Sequence, residues 1–256
     1  MITISNTENL AGVCISGDYY DLYKLVQAFH TITINEFTEQ YIQYHDISTR
    51  VLGLCYHLRQ AMQGNREVEL KNNGMTDEQM KHFALITPKH NVYYKCYCLY
   101  PEMFFIVLAL NRLVEIRIRY LSKQKQAQDN AFDRKVIWDE TIAIIRLFQA
   151  RFQKSVSELM TENVFSRWLK LMNDNYIYIE QIALQYVDIL NIDYLKMNRD
   201  KRLKNLSRIA RRIAHFQYDD EHREIKDVVV RAAREYNCSE AEIRLAGSEY
   251  PQEIIW

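Results

Sequence analysis

Apolar residues recur along this chain with two periods. At the start 2–5 and 12–16 are short and rich in β-branched residues, which predicts two short strands. Asn6-Thr7-Glu8-Asn9 between them favours a turn. Ser16-Gly17-Asp18 offers N-cap chemistry for a helix over 18–31, with Leu22, Leu25, Val26 and Phe29 on one face. A second helix is predicted over 36–62. Its apolar set is Phe37, Tyr41, Tyr44, Ile47, Val51, Leu54, Tyr56 and Leu58, and Gly64-Asn65 ends it. Polar and apolar residues alternate over 66–70, and 91–100 is rich in tyrosine, so both read as strands. The four strands together predict a small antiparallel sheet.

Beyond this point the period is helical. Pro101 suits the first position of a helix over 101–123, apolar on most sides at its start and therefore central. The polar run 122–130 reads as a loop. A helix over 131–159 places Ile137, Thr141, Ile144, Ile145, Phe148, Phe152, Val156 and Leu159 at helical spacing. Another, over 161–197, bends near Asn173-Asp174-Asn175. Helices over 199–217 and 220–236 follow. Ser239 and Glu242 form a capping box for a last short helix. Ile254, Ile255 and Trp256 predict a tail that docks.

Composition places the boundary. The chain has nine Gly and Pro residues, seven of them in the first 101, and 102–246 contains neither. The predicted fold class is α+β, mainly α: a small antiparallel sheet with two helices packed on a bundle of long helices. The mixed region is 1–100 and the bundle 101–256, together one compact unit. A glycine-free region has no tight phosphate-cradling loops, so any site in it must be built from helix faces.

Net charge is zero, with 33 basic and 33 acidic residues, so binding to nucleic acid or acidic partners would need a local patch. Five cysteines, an odd number, read as free thiols. The N-terminus lacks a basic segment followed by an apolar one, so a cytoplasmic location is expected. The apolar run 103–110 is followed at once by charged residues and is far short of the about 20 needed to span a membrane.

The segments 6–30, 51–70 and 91–115 resemble the opening of an uncharacterised bacterial family of unknown function. That resemblance implies a cytoplasmic bacterial protein and carries over no activity and no site residues.

The helix over 199–217 is the one whose polar face is strongly one-signed. Between 196 and 212 lie eight basic residues and one acid, Asp200. At 100° per residue, Lys201, Lys204, Arg208, Arg211, Arg212 and His215 share an arc of about 100°. Leu203, Leu206, Ile209, Ala210 and Ile213 lie opposite. The stripe either contacts a phosphate backbone or acidic partner, or is a solvated face balanced by neighbouring acids such as Asp219, Asp220 and Glu221. Arg208 and His215 also resemble the Arg-x(4–6)-His signature of HEPN-type ribonucleases, which are small helical bundles. That resemblance implies His215 as general base and Arg208 as phosphate stabiliser. The polar residue that usually follows the Arg is replaced by Ile209.

Other motifs lead to structure rather than chemistry. Ala233, Asn237 and Ile243 have helix-turn-helix spacing, but Glu240 and Glu242 would face phosphates, so a capped connection is expected. Cys96 and Cys98 share a strand face, and Cys55 and His57 could supply further zinc ligands, but these sit in a strand and a helix rather than in turns, so the cysteines read as buried small hydrophobes. Glu115 and Arg119 form an i,i+4 ion pair. No metal and no cofactor is expected. The function expected is a non-enzymatic binding or interaction protein, plausible as a homodimer. The alternatives are a ribonuclease using Arg208 and His215, or a nucleic-acid-binding regulator using the basic face.

Overall fold

A computed structural model describes residues 1–33, 39–122 and 133–256. Its strands are β1 (Thr3–Asn6), β2 (Gly12–Gly17), β3 (Val68–Asn72) and β4 (His90–Leu99). They form one antiparallel sheet in the order β1-β2-β4-β3. This is the α+β, mainly α class. Thr7 closes the first hairpin by accepting the Gly12 N–H at 3.1 Å. Gly12 must be glycine, since a Cβ there would lie 1.9 Å from the Cys98 carbonyl oxygen. Val13, Ile15, Cys96 and Cys98 share the sheet face turned to the core, and all four are buried.

The helices are α1 (Tyr19–Thr33), α2 (His45–Met62), α3 (Asp77–His82), α4 (Tyr100–Ser122), α5 (Arg134–Ile137), α6 (Glu140–Ser157), α7 (Glu162–Met172), α8 (Leu184–Leu195), α9 (Arg199–Ala214) and α10 (Asp220–Tyr236). Helix α4 is the axis of the molecule. It starts where β4 ends and buries most of its length from Tyr100 to Ile116, packing on α2, α8, α9 and the sheet. Helix α1 packs on α2 and α6, with Phe29 edge-on to Phe148 at 5.4 Å. Trp168 of α7 closes an aromatic cluster with Phe104 and Phe152. One continuous core runs from Ile2 to Ile243.

Several elements differ from expectation for local reasons. The second helix begins at His45, after a 3-10 turn over Glu39–Tyr44. Phe37 lies outside the described residues, and Tyr56 is exposed rather than part of the apolar set. The helix expected over 131–159 is two, because Asp139 leaves the helical path to cap α6, accepting the Ile142 N–H at 2.8 Å. The helix expected over 161–197 is likewise two, α7 and α8. Asp174 accepts the Tyr176 N–H at 3.0 Å, and a 3-10 turn at Ile179–Gln181 bridges to α8. Helix α3 has no counterpart in the sequence reading. The expected last helix is a single 3-10 turn, Glu240–Glu242, without a Ser239 cap. Gln185 holds that turn instead, donating to the Glu240 and Ile243 carbonyls at 2.6 and 2.9 Å. Asn237 adopts φ 51° and ends α10, and only the 3-10 turn Glu240–Glu242 follows it, so there is no recognition helix. Among the described residues no helix is long and apolar enough to cross a membrane.

Candidate functional site

Helix α9 starts at Asn198, whose side chain accepts the Lys201 N–H at 3.0 Å. Leu206, Ile209, Ala210 and Ile213 are buried against the bundle, while Leu203 is half-exposed at the edge of that seam. The basic residues divide into two groups. Arg202 is buried and donates to the carbonyls of Tyr194 (3.3 Å), Leu195 (2.9 Å) and Asn9 (2.9 Å). It therefore caps the end of α8, where carbonyls have no helical partner. Arg212 pairs with Asp219 at 2.8 Å and with Glu221, and stacks over the Tyr186 ring. Arg199 donates to the Glu8 carbonyl at 3.0 Å, and Lys196 pairs with Asp193.

Lys201, Lys204, Arg208 and Arg211 form the second group. All four are exposed, and among the described residues none makes an ion pair. The balancing acids expected from the sequence neutralise Arg212 only, because Asp220 pairs with Arg223. Lys201 to Arg211 runs about 15 Å along the helix. His215 caps the end of α9, is exposed, and lies edge-on to the exposed Tyr218 ring at 6.2 Å. Arg208 and His215 lie on the same side of α9, but no hydrogen bond joins them. Neither lines the cavities around Arg50.

A second feature was invisible in the sequence. A cavity of about 590 Å³ lies between α2, β4, α4, α8 and the last residues of the chain. Its floor is a network around Arg50. The guanidinium bonds both Glu102 oxygens at 2.8 and 2.5 Å, Asp188 at 2.9 Å and the Leu184 carbonyl at 3.1 Å. Asn191 donates to Glu102 at 2.9 Å, and the Tyr250 hydroxyl donates to Asp188 at 3.1 Å. Burial alone would raise the Glu102 carboxyl, but the guanidinium holds it below the usual carboxylate value. Burial, then Arg66, pull His57 at the cavity wall below the usual imidazole value. Arg50 and Tyr250 also line a neighbouring cavity of about 780 Å³. Arg50, Glu102 and Asp188 are paired with one another, so the network is a clamp between α2, α4 and α8.

The cysteines behave as apolar fillers. Burial pushes the thiols of Cys55 and Cys96 up to about 12 and raises Cys98 as well, so none is a ready thiolate.

Residues 2–256 match the family model described as Domain of unknown function (DUF6904), and the chain belongs to that family. No curated protein and no solved structure matches it.

Proposed function

We propose that this DUF6904 protein is a cytoplasmic, non-enzymatic binding protein that holds a polyanion, a single-stranded nucleic acid, along the outer face of α9. The observation that carries this is the row of four exposed cations, Lys201, Lys204, Arg208 and Arg211, which among the described residues make no ion pair. In the same helix Arg202 and Arg212, which serve the fold, have partners. Four exposed cations in one row, with no ion-pair partner among the described residues, match a phosphate backbone, whose affinity comes from such contacts. Tyr218, exposed beside His215 at the end of the row, offers a ring on which a base can stack. The unbridged cysteines fit a reducing compartment.

Fluorescence anisotropy with a labelled single-stranded RNA tests the reading. With four phosphate contacts, log K should fall against log salt with a slope of roughly −3. Replacing Lys201, Lys204, Arg208 and Arg211 by Gln should abolish binding without unfolding the protein. Unchanged binding by that variant, or none by the wild type at low salt, rejects the reading. RNA cleavage that disappears in His215→Ala would assign the face to catalysis instead.

A further inference from the structure

β3 is the terminal strand of the sheet, and its outer edge is open. The Lys95 N–H donates to the Glu67 carbonyl at 2.9 Å and the Asn73 N–H to the Lys89 carbonyl at 3.0 Å, with an unbroken register between them. In an antiparallel ladder alternate residues bond to the same neighbour. The backbone groups of Glu67, Glu69, Lys71 and Asn73 therefore face β4, and those of Val68, Leu70 and Asn72 face outward. Among the described residues nothing pairs with this edge.

Its flank is apolar. Leu70 is 63% exposed, Val68 and Val92 lie beside it and are also exposed, and the following loop exposes Phe83, Leu85 and Ile86. Helix α3, carried in that loop, buries no residue. Folded proteins usually cover or blunt such an edge.

We propose that a second copy of this chain covers it. The two β3 strands pair antiparallel across a two-fold axis at Leu70 and join the two sheets into one. Hydrogen-bond phase and charge select this register. Bonds form only where outward residues oppose outward residues. With the axis at Leu70, Leu70 opposes Leu70 and Val68 opposes Asn72, so every outward residue of β3 is used. Glu69 then opposes Lys71 of the second copy, twice, on the polar face. An axis at Glu69 or Lys71 would set like charges directly opposite, which is destabilising, and would leave outward groups unused. The two Leu70 side chains meet on the face where Val68 and Val92 are exposed. The exposure of Val68, Leu70 and Val92 leaves this face open to the second copy. The contact is isologous, as a closed dimer requires. It shares no residue with the α9 face and stands independently of the function proposed above.

Light scattering on the full chain tests this directly. The wild type should have twice the chain mass. Glu69→Lys and Lys71→Glu should each run as folded monomers, because each sets like charges across the axis. An equimolar mixture of the two should return to the doubled mass, because opposite charges face each other again. Leu70→Pro should also be monomeric with an unchanged far-ultraviolet spectrum, since the amide it removes points away from β4. A monomeric wild type, a single variant that stays dimeric, or a mixture that stays monomeric overturns the proposal.

Discussion

His222 is the residue whose environment most constrains its chemistry. It is buried between the Tyr186 and Phe216 rings, and its Nε2 accepts the Ala183 N–H at 3.1 Å. The ring proton therefore sits on Nδ1, which has no partner among the described residues. Burial, then Lys226, lower its pKa from the ordinary 6.5 to about 4. Between these values the unfolded chain binds the proton and the folded chain does not, so stability falls as pH drops from 6.5 to 4. At 1.36 kcal/mol per unit the loss is about 3 kcal/mol. His222→Gln, whose amide oxygen can still accept the Ala183 N–H, should be less stable at neutral pH but lose less on acidification. Urea midpoints of both proteins across this range check it, and parallel curves would reject it. Arg50 makes a related case. Arg50→Met strands both Glu102 and Asp188 and should cost about 3–5 kcal/mol, whereas Arg50→Met with Glu102→Leu leaves only the more exposed Asp188, still bonded by Tyr250, without its cation and should cost less. A double variant less stable than the single would contradict the clamp.

Asp139 shows why some elements were legible in the sequence and others were not. Helices α1, α4, α9 and α10 follow from local signals: a cap, an apolar stripe and an end. The break before α6 does not, because apolar spacing continues unbroken through Ile137 and Thr141. What decides it is Arg117, on α4, which bonds both Asp139 oxygens at 2.9 and 2.6 Å while Asp139 caps α6. Asp139→Ala removes a cap and one side of a mostly buried ion pair, so it should cost roughly 2–4 kcal/mol. Asp133→Ala removes only the exposed cap of the Lys135 N–H at α5 and should cost about 1 kcal/mol or less. Equal thermal shifts would sink that distinction. The candidate site divides in the same way. The row on α9 was legible because its members lie within one helix. Which of them are free was not, because the partners of Arg202 and Arg212 come from other elements. The Arg50 network was beyond reach, since Arg50, Glu102, Asp188, Asn191 and Tyr250 meet only through the tertiary fold. The open edge was hidden by its own correct pattern: 66–70 alternates as a half-buried strand should, yet its apolar side faces solvent.

At the scale of the whole molecule, the compositional boundary near Pro101 coincides with the start of α4 but not with a gap in the core. Val13, Ile15, Cys96 and Cys98 from the sheet and Leu54 and Leu58 from α2 belong to the same core as Phe104, Ile106 and Leu110 of α4. The edge of the first region is also tied down by later residues. Asn6 donates to the Ser155 carbonyl at 2.9 Å, Tyr194 donates to the Leu10 carbonyl at 2.9 Å, and Trp256 stacks on Tyr97 at 5.1 Å. A domain that folds alone needs its own core. The fragment 1–100 would expose the faces of α1, α2 and the sheet that α4 and α6 cover, and at this length there is little other apolar surface to offset chain entropy. We therefore expect 1–100 expressed alone to be unfolded or aggregated. In the full chain, near- and far-ultraviolet circular dichroism should melt together, because no subset of helices keeps a core once α4 is lost. A dispersed amide spectrum from the fragment, or two separated transitions in the full chain, would mean that the glycine-poor bundle and the mixed region are independent bodies.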